Sequence, residues 1–151
     1  MYNKELIGVP EPITVGDLES LMDLENSAFP IDHWSKDLMM RHFRENPEGF
    51  RVIRVGKRVV GYIFTDRISD TEGLISSVAV LEEFRGLGLG ETLVRLGVDL
   101  LKKQGFMSII VRTRVDNEPM KALAKKLGFQ VRKTIPNFYT ENGDALEMEL
   151  S

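Results

Sequence analysis

The residues best suited to bind a ligand lie in a glycine-rich segment that carries one arginine, Arg85-Gly86-Leu87-Gly88-Leu89-Gly90. An apolar run of strand length precedes it at residues 74–80, and apolar residues at helical spacing follow from residue 89 to residue 101. Glycines at a strand-to-helix junction let backbone N–H groups approach a ligand closely, and a helix N-terminus favours an anion. The segment is therefore a candidate phosphate-binding loop.

Two well-known phosphate loops provide alternatives. A dinucleotide-binding fingerprint would need a glycine in place of Glu91 or Leu93, according to where it starts, and a P-loop would need a Gly-Lys-Ser/Thr ending that this segment lacks. Charge-assisted hydrogen bonds contribute about 1.5–3 kcal/mol each, so a few loop amides could still hold a pyrophosphate. The remaining alternative is a glycine-rich helix entry that binds no ligand.

The whole pattern, Arg-x-x-Gly-x-Gly after an apolar strand and at the start of a helix, resembles the acetyl-CoA-binding motif of the GNAT acetyltransferase superfamily. Downstream, Asn117 and the LAKKLGF segment at residues 123–129 are similar to the next segment of that superfamily. The resemblance implies that the loop amides hold the CoA pyrophosphate and that the preceding strand pairs with the pantetheine arm. The cofactor site that it implies comprises Val78, Ala79, Val80, Arg85, Gly86, Leu87, Gly88, Leu89, Gly90, Glu91 and Asn117.

The acceptor site follows from a second resemblance, to the protein N-terminal acetyltransferases of the ribosomal-protein alanine type. Residues 25–30 followed by Trp34-Ser35 are similar to their first helix and loop, and residues 136–139 followed by residues 144–148 look like their final hairpin. In those enzymes the two loops flank the first residues of the substrate. The resemblance therefore places Phe29, Pro30, Ile31 and Tyr139 beside the acceptor amine.

The catalytic groups that the resemblance leads one to expect are not present. Relatives often carry a tyrosine as general acid four residues before the Gly-Phe pair, where this chain has Ala124, and some carry a glutamate or histidine where it has Arg112. The candidates that remain are Tyr139, as acid or orienting group, and Glu72, as a base acting through water. Glu25 is a further candidate base, although solvent exposure is the simpler expectation for both glutamates.

The lack of an evident strong base bears on the choice of acceptor. With reference pKa values of about 7.7–8.0 for an α-amine and about 10.4 for lysine, forming the neutral amine at pH 7 costs roughly 1–1.4 kcal/mol for the former and about 4.6 kcal/mol for the latter. We therefore predict direct acetyl transfer, in a ternary complex, to a protein or peptide N-terminal α-amine. The alternatives are a small amine such as a polyamine, an amino acid or an aminoglycoside, a non-catalytic acyl-CoA-binding module, and a structural domain whose glycines only shape a turn.

Composition excludes several other classes. The 151 residues have a net charge of −3 that is spread along the chain, which does not indicate a nucleic-acid surface. The absence of cysteine excludes disulfides and thiolate chemistry, and with only His33 and His42 as imidazoles we expect no metal site. No apolar run is long enough to span a membrane. We expect a cytoplasmic protein, either a monomer or a homodimer.

The elements that must position these residues alternate between helix and strand. Hairpins are predicted at both ends, with turns at Gly56-Lys57 and Asn142-Gly143, and Ser35 is predicted to cap the second helix. A short strand is predicted near residues 6–9. The fold class expected is α/β: a single GNAT-like domain over residues 1–151, with a central mixed, mostly antiparallel twisted sheet of six to seven strands flanked by about four helices.

Overall fold

The structure, a computed structural model, describes residues 6–151 and contains one mixed sheet with four α-helices. The strands are β1 (Phe50–Val55), β2 (Arg58–Arg67), β3 (Glu72–Val80), β4 (Ser108–Arg114), β5 (Gln130–Tyr139) and β6 (Gly143–Leu150). The helices are α1 (Leu18–Ala28), α2 (Lys36–Glu45), α3 (Leu89–Lys103) and α4 (Glu118–Lys126). The strand order is β1-β2-β3-β4-β6-β5. The β3–β4 pair is parallel, whereas β1–β2, β4–β6 and β5–β6 are antiparallel, so the predicted fold class is confirmed.

Among residues 6–151 the sheet has six strands, because residues 6–17 pair with it only at single points. Ile7 forms an isolated bridge with Val55, and Glu11 forms one with Val52. The strand predicted near residues 6–9 is therefore a point contact along β1. Within residues 6–151, every helix is too short or too polar to cross a membrane.

Contacts divide the chain into two compact units. The first comprises Met1–Phe64 and Ser77–Val94, and the second comprises Thr65–Ser76 and Arg95–Ser151. β2, β3 and α3 each contribute residues to both units. The prediction that residues 1–151 form one domain stays a prediction.

The helices of the first unit begin at local capping signals. Thr14 and Asp17 form a capping box at the 3-10 turn that leads into α1, and the Ser35 hydroxyl accepts a hydrogen bond from the Leu38 N–H at 3.1 Å, as predicted for the second helix. The β1–β2 hairpin turns at Gly56, where φ is 61°. The unit encloses large, fully buried side chains from both helices and both strands: Leu21, Leu24, Met39, Phe50, Tyr62 and Phe64.

The second unit is built on β4, which lies between β3 and β6. β4 pairs with β3 from Glu72–Ser108 to Ile75–Val111, and with β6 from Ile109–Leu150 to Arg114–Ala145. The hairpin predicted between β5 and β6 is present, but its turn lies one position earlier than the predicted Asn142-Gly143. The two residues with positive φ are Glu141 and Asn142, and Gly143 is the first residue of β6. Buried apolar side chains fill this unit: Ile75, Leu101, Ile109, Ile110, Ala124, Phe129 and Met148.

Candidate active site

The glycine-rich loop between β3 and α3 is open on the side where a ligand would approach. Gly86 and Gly88 have φ values of 80° and 81°, which residues with a side chain rarely adopt. A Cβ built on Gly86, Gly88 or Gly90 would have no atom within 4 Å. The glycines are therefore not required by packing, and their lack of side chains leaves room directly against the backbone.

The loop is nevertheless firmly attached at both ends. Phe84 is 1% exposed, and the Arg85 Nε atom donates a hydrogen bond to the Val80 carbonyl at 3.1 Å. On the helix side, the N–H and hydroxyl groups of Thr92 both donate to the Gly88 carbonyl at 3.0 Å. The amides of Leu89 and Gly90 precede this first helical hydrogen bond, so α3 supplies no acceptor for them. A fixed helix N-terminus with accessible amides fits a pyrophosphate.

A short 3-10 turn, Glu82–Phe84, connects β3 to this loop. The register of β3 with β4 ends at Ile75, while the strand continues to Val80. Ala79 is buried, whereas Val78 and Val80 are half-buried. The cofactor residues predicted on β3 and on the loop thus form one continuous segment of the first unit.

The predicted acceptor loop after α1 is a compact turn. The Phe29 N–H donates to the Glu25 carbonyl at 2.9 Å, and the Phe29 carbonyl accepts hydrogen bonds from the backbone N–H and the Nδ1 atom of His33, both at 3.0 Å. Pro30 and Ile31 are exposed at the tip, Ile31 to 50%. The tip of this turn therefore presents apolar side chains to solvent.

Glu25 departs most clearly from the expectation of solvent exposure, because the residue is only 1% exposed. Its carboxylate accepts hydrogen bonds from the backbone N–H of Trp34 at 2.8 Å and from the Tyr62 hydroxyl at 2.5 Å. The Tyr62 hydroxyl also contacts the Ser77 Oγ atom on β3 at 2.7 Å. Burial raises the pKa of Glu25, partly offset by the hydrogen bonds, and burial together with the nearby Glu25 carboxylate raises the pKa of Tyr62 well above its usual value.

The second unit carries the other predicted residues. Tyr139 ends β5, where its ring packs edge-on against Phe138, with centroids 5.0 Å apart, and lies 5.3 Å from the guanidinium carbon of Arg114. Arg114 also donates a hydrogen bond to the Thr140 carbonyl at 2.9 Å. Asn117 caps α4, its Oδ1 atom accepting from the Met120 N–H at 3.2 Å. Cation–π and hydrogen-bond contacts thus hold the hairpin that presents Tyr139.

Glu72 and Arg112 are both committed to ion pairs in this unit. The Glu72 carboxylate lies 2.6 Å from Arg132, which leaves less of its oxygen surface available to a substrate. Arg112, at the position where some relatives carry a base, pairs with the buried Glu147 at 2.8 Å and lies 5.7 Å from the Phe138 ring centroid. Ala124 is fully buried and supplies no polar group. Among residues 6–151, no group of three or more acidic or imidazole side chains could hold a metal ion.

Comparison with known proteins decides the family. The model of the acetyltransferase (GNAT) family matches residues 18–129, a range that includes α1, the glycine-rich loop and α4. This chain belongs to the GNAT acetyltransferase family. The predicted resemblance is confirmed, and so is the prediction of an N-acetyltransferase.

Relatives of this GNAT enzyme extend over most of its length. A Bacillus subtilis (strain 168) protein, whose provisional name is ribosomal protein bS18-alanine N-acetyltransferase, is 35% identical over 134 residues, with 87% of each chain covered. An N-alpha-acetyltransferase of Sulfurisphaera tokodaii is 29% identical over 145 residues, covering 87% of this chain and 86% of that protein. The crystal structure of Ard1 from Thermoplasma volcanium is 30% identical and superposes with a TM-score of 0.87, covering 95% of this chain and 96% of its own.

Sequence reasoning missed Tyr62 and Ser77, which form the hydrogen-bonded contacts that lead from Glu25 to β3. Nothing in the alternation of a buried strand distinguishes a tyrosine that fills a core from one that binds a carboxylate. A signal did exist for Glu25, because its helical spacing places it on the same face of α1 as Leu18 and Leu21. An acidic residue on the apolar face of a helix needs buried donors, and these are what the structure shows.

Proposed function

We propose that this GNAT enzyme transfers the acetyl group of acetyl-CoA to the α-amine of a protein or peptide N-terminus. The observation that carries the proposal is the open loop at the start of α3, where Gly86 and Gly88 adopt left-handed backbone conformations with no neighbour beside them. The names of the Bacillus and Sulfurisphaera relatives support the acceptor, because both denote acetylation of a protein or α-amino group.

The cofactor part of the proposal uses the segment from β3 to α3. The amides of the loop, from Arg85 to Glu91, hold the pyrophosphate, and the backbone of Val78, Ala79 and Val80 pairs with the pantetheine arm. Acetyl-CoA supplies an activated acyl group, whose carbonyl a backbone N–H of this strand polarises. Oδ1 of Asn117 caps α4, and the side-chain amide N–H groups of this residue can donate hydrogen bonds to the cofactor.

The acceptor part of the proposal uses two loops. Phe29, Pro30 and Ile31 contact the first side chains of the peptide, which agrees with the exposed apolar tip of the turn. Tyr139 orients the amine or protonates the leaving thiolate. Glu72 remains a candidate base through water, although its ion pair with Arg132 must first open. An α-amine suits this arrangement because its neutral form costs about 3 kcal/mol less at pH 7 than that of lysine.

Calorimetry and peptide acetylation together test the proposal. We expect acetyl-CoA and desulfo-CoA to bind and NAD not to bind, because NAD lacks the pantetheine arm that β3 would pair with. Peptides that vary in the first residue should be acetylated, whereas the same peptides with a blocked N-terminus and an internal lysine should not. Absence of CoA binding would refute the assignment of the loop. CoA binding with turnover of small amines alone would refute the acceptor.

Two expectations about the enzyme in the cell accompany this proposal. A cytoplasmic location would place the enzyme where new protein N-termini and acetyl-CoA meet. Both the monomer and the homodimer remain predicted states, and sedimentation of the purified protein distinguishes them.

A further inference from the structure

A chain of three hydrogen-bonded side chains leads from the interior of the first unit to β3. Ser77 lies on β3 immediately before Val78, Tyr62 lies on β2, and Glu25 lies on α1. The two links are short, 2.7 Å from Ser77 to Tyr62 and 2.5 Å from Tyr62 to Glu25. We propose that Ser77, Tyr62 and Glu25 take up the proton that the acceptor amine releases when it attacks the thioester.

The direction of these hydrogen bonds follows from the number of protons available. A tyrosine hydroxyl has one hydrogen, and Tyr62 donates it to the Glu25 carboxylate. The hydrogen between Ser77 and Tyr62 must therefore belong to Ser77. With its own hydrogen committed, the Ser77 oxygen has lone pairs left to accept a hydrogen bond from a group outside the chain. Ser77 is half-buried, so such a group can reach it along β3.

The surroundings of Glu25 suit a proton acceptor better than those of the other glutamates near the sheet. Glu72 and Glu147 pair with Arg132 and Arg112 respectively. The groups around the Glu25 carboxylate are instead the Tyr62 hydroxyl, the Trp34 N–H and, at longer range, His33. Burial raises its pKa from the ordinary 4.5 towards the working range of a general base.

The proton transfer balances without an additional reactant. The amine nitrogen bonds to the thioester carbon, the C–S bond breaks, and CoA leaves as a thiolate. The proton that nitrogen loses passes to the Ser77 oxygen, while Ser77 passes its hydrogen to Tyr62 and Tyr62 passes its own to Glu25. Solvent then returns one proton to the thiolate, and Glu25 releases the one it gained. Ser77 is the member that touches the amine, and Tyr62 and Glu25 act through it.

This inference rests on the proposed placement of the thioester along Val78 to Val80, and pH profiles of kcat test it. Ionised Glu25 is the active form, so kcat should fall as pH decreases through its pKa, in addition to the amine's own limb near pH 7.7–8.0. Glu25→Gln should lower kcat by about 10²-fold and remove the part of the decrease that follows Glu25, so that only the decrease due to the amine is left. The glutamine can still accept the Trp34 N–H, so the acceptor loop and the Kd for acetyl-CoA should not change.

Two further variants separate proton transfer from a structural effect. Tyr62→Phe removes the middle hydroxyl of the three hydrogen-bonded side chains and should lower kcat as Glu25→Gln does. Ser77→Ala leaves Glu25 and Tyr62 in contact, and it should lower kcat less if water replaces the serine hydroxyl. Glu19→Gln, an exposed change on the same helix, is the matched control and should match the wild type.

Each result of this experiment has a defined meaning. Wild-type kcat in Glu25→Gln would overturn the inference, and so would a reduced kcat with a pH profile of wild-type shape. A parallel loss of acetyl-CoA affinity would overturn it as well. If the wild-type enzyme acetylates a small amine and no peptide, the proposed acceptor is refuted. The same pH comparison with that amine still tests the proton transfer through Ser77, Tyr62 and Glu25, because the proton to be removed is again that of an amine.

Discussion

Replacing Gly88 with alanine separates a role in ligand binding from a role in folding. The backbone at Gly88 has φ of 81°, where an L side chain costs about 1–2 kcal/mol, and the added methyl group would meet no atom within 4 Å. The expected loss of stability is therefore limited to that strain, about 2–8 °C in Tm for a chain of this length. The loss of a single amide contact to a pyrophosphate, worth about 1.5–3 kcal/mol, would weaken acetyl-CoA binding by about 10- to 150-fold.

Gly56 provides a control with nearly the same geometry. It also has a positive φ, 61°, and open space beside it, but it lies in the β1–β2 turn. Gly56→Ala and Gly88→Ala should show similar changes in Tm by differential scanning fluorimetry. Titration calorimetry with acetyl-CoA should distinguish them, with a wild-type Kd for Gly56→Ala. An unchanged Kd in folded Gly88→Ala would show that the loop does not hold the cofactor.

Three further predictions concern the hairpin and the first unit. A Cβ at position 143 would overlap the Arg114 guanidinium, so Gly143→Ala should displace it from the Tyr139 ring and raise the KM for the acceptor about two- to fivefold without changing acetyl-CoA affinity. Tyr139→Phe keeps that ring contact but should lower kcat by about 10²-fold if the hydroxyl acts as an acid, whereas loss of CoA binding would mean that the residue is misplaced. Arg54 holds the pKa of Asp17 below its ordinary 3.8. The pair therefore contributes its full stabilisation of the folded state above about pH 4, and this contribution is lost as pH falls through the lowered pKa. Asp17→Asn should therefore cost about 2–3 kcal/mol at pH 7 and flatten the acid decline of Tm, and parallel Tm curves for the two proteins would contradict this.

Local signals account for the parts of the fold that sequence reasoning predicted. The change from an apolar strand to helical spacing around the glycines, the Ser35 cap and the hairpin turn next to Gly143 depend on residues close together in the chain. The corresponding elements are present in the structure. The glycine-rich motif also identified the family, because its spacing depends on the geometry of one strand, one turn and one helix.

The partners of the polar side chains could not be predicted in the same way. Glu25 and Tyr62 are 37 positions apart, and Arg112 and Glu147 are 35 positions apart. Whether a glutamate faces solvent or a buried hydroxyl depends on which strand packs against its helix, and the sequence around it does not encode that. Arg112 is a second example. It stands where some relatives carry a catalytic base, and its presence is explained only by the carboxylate of Glu147, which lies opposite it on β6.

The position of β5 at the end of the sheet has a consequence for the behaviour of the enzyme in concentrated solution. Within the described residues, one edge of this strand has no neighbouring strand, and such an edge can pair with a strand of another molecule. Two features of β5 oppose this. Pro136 lacks an N–H to donate, and the side chain of Lys133 is 58% exposed, so that copies meeting edge to edge would bring like charges together. The strand that presents Tyr139 is thereby also protected against aggregation.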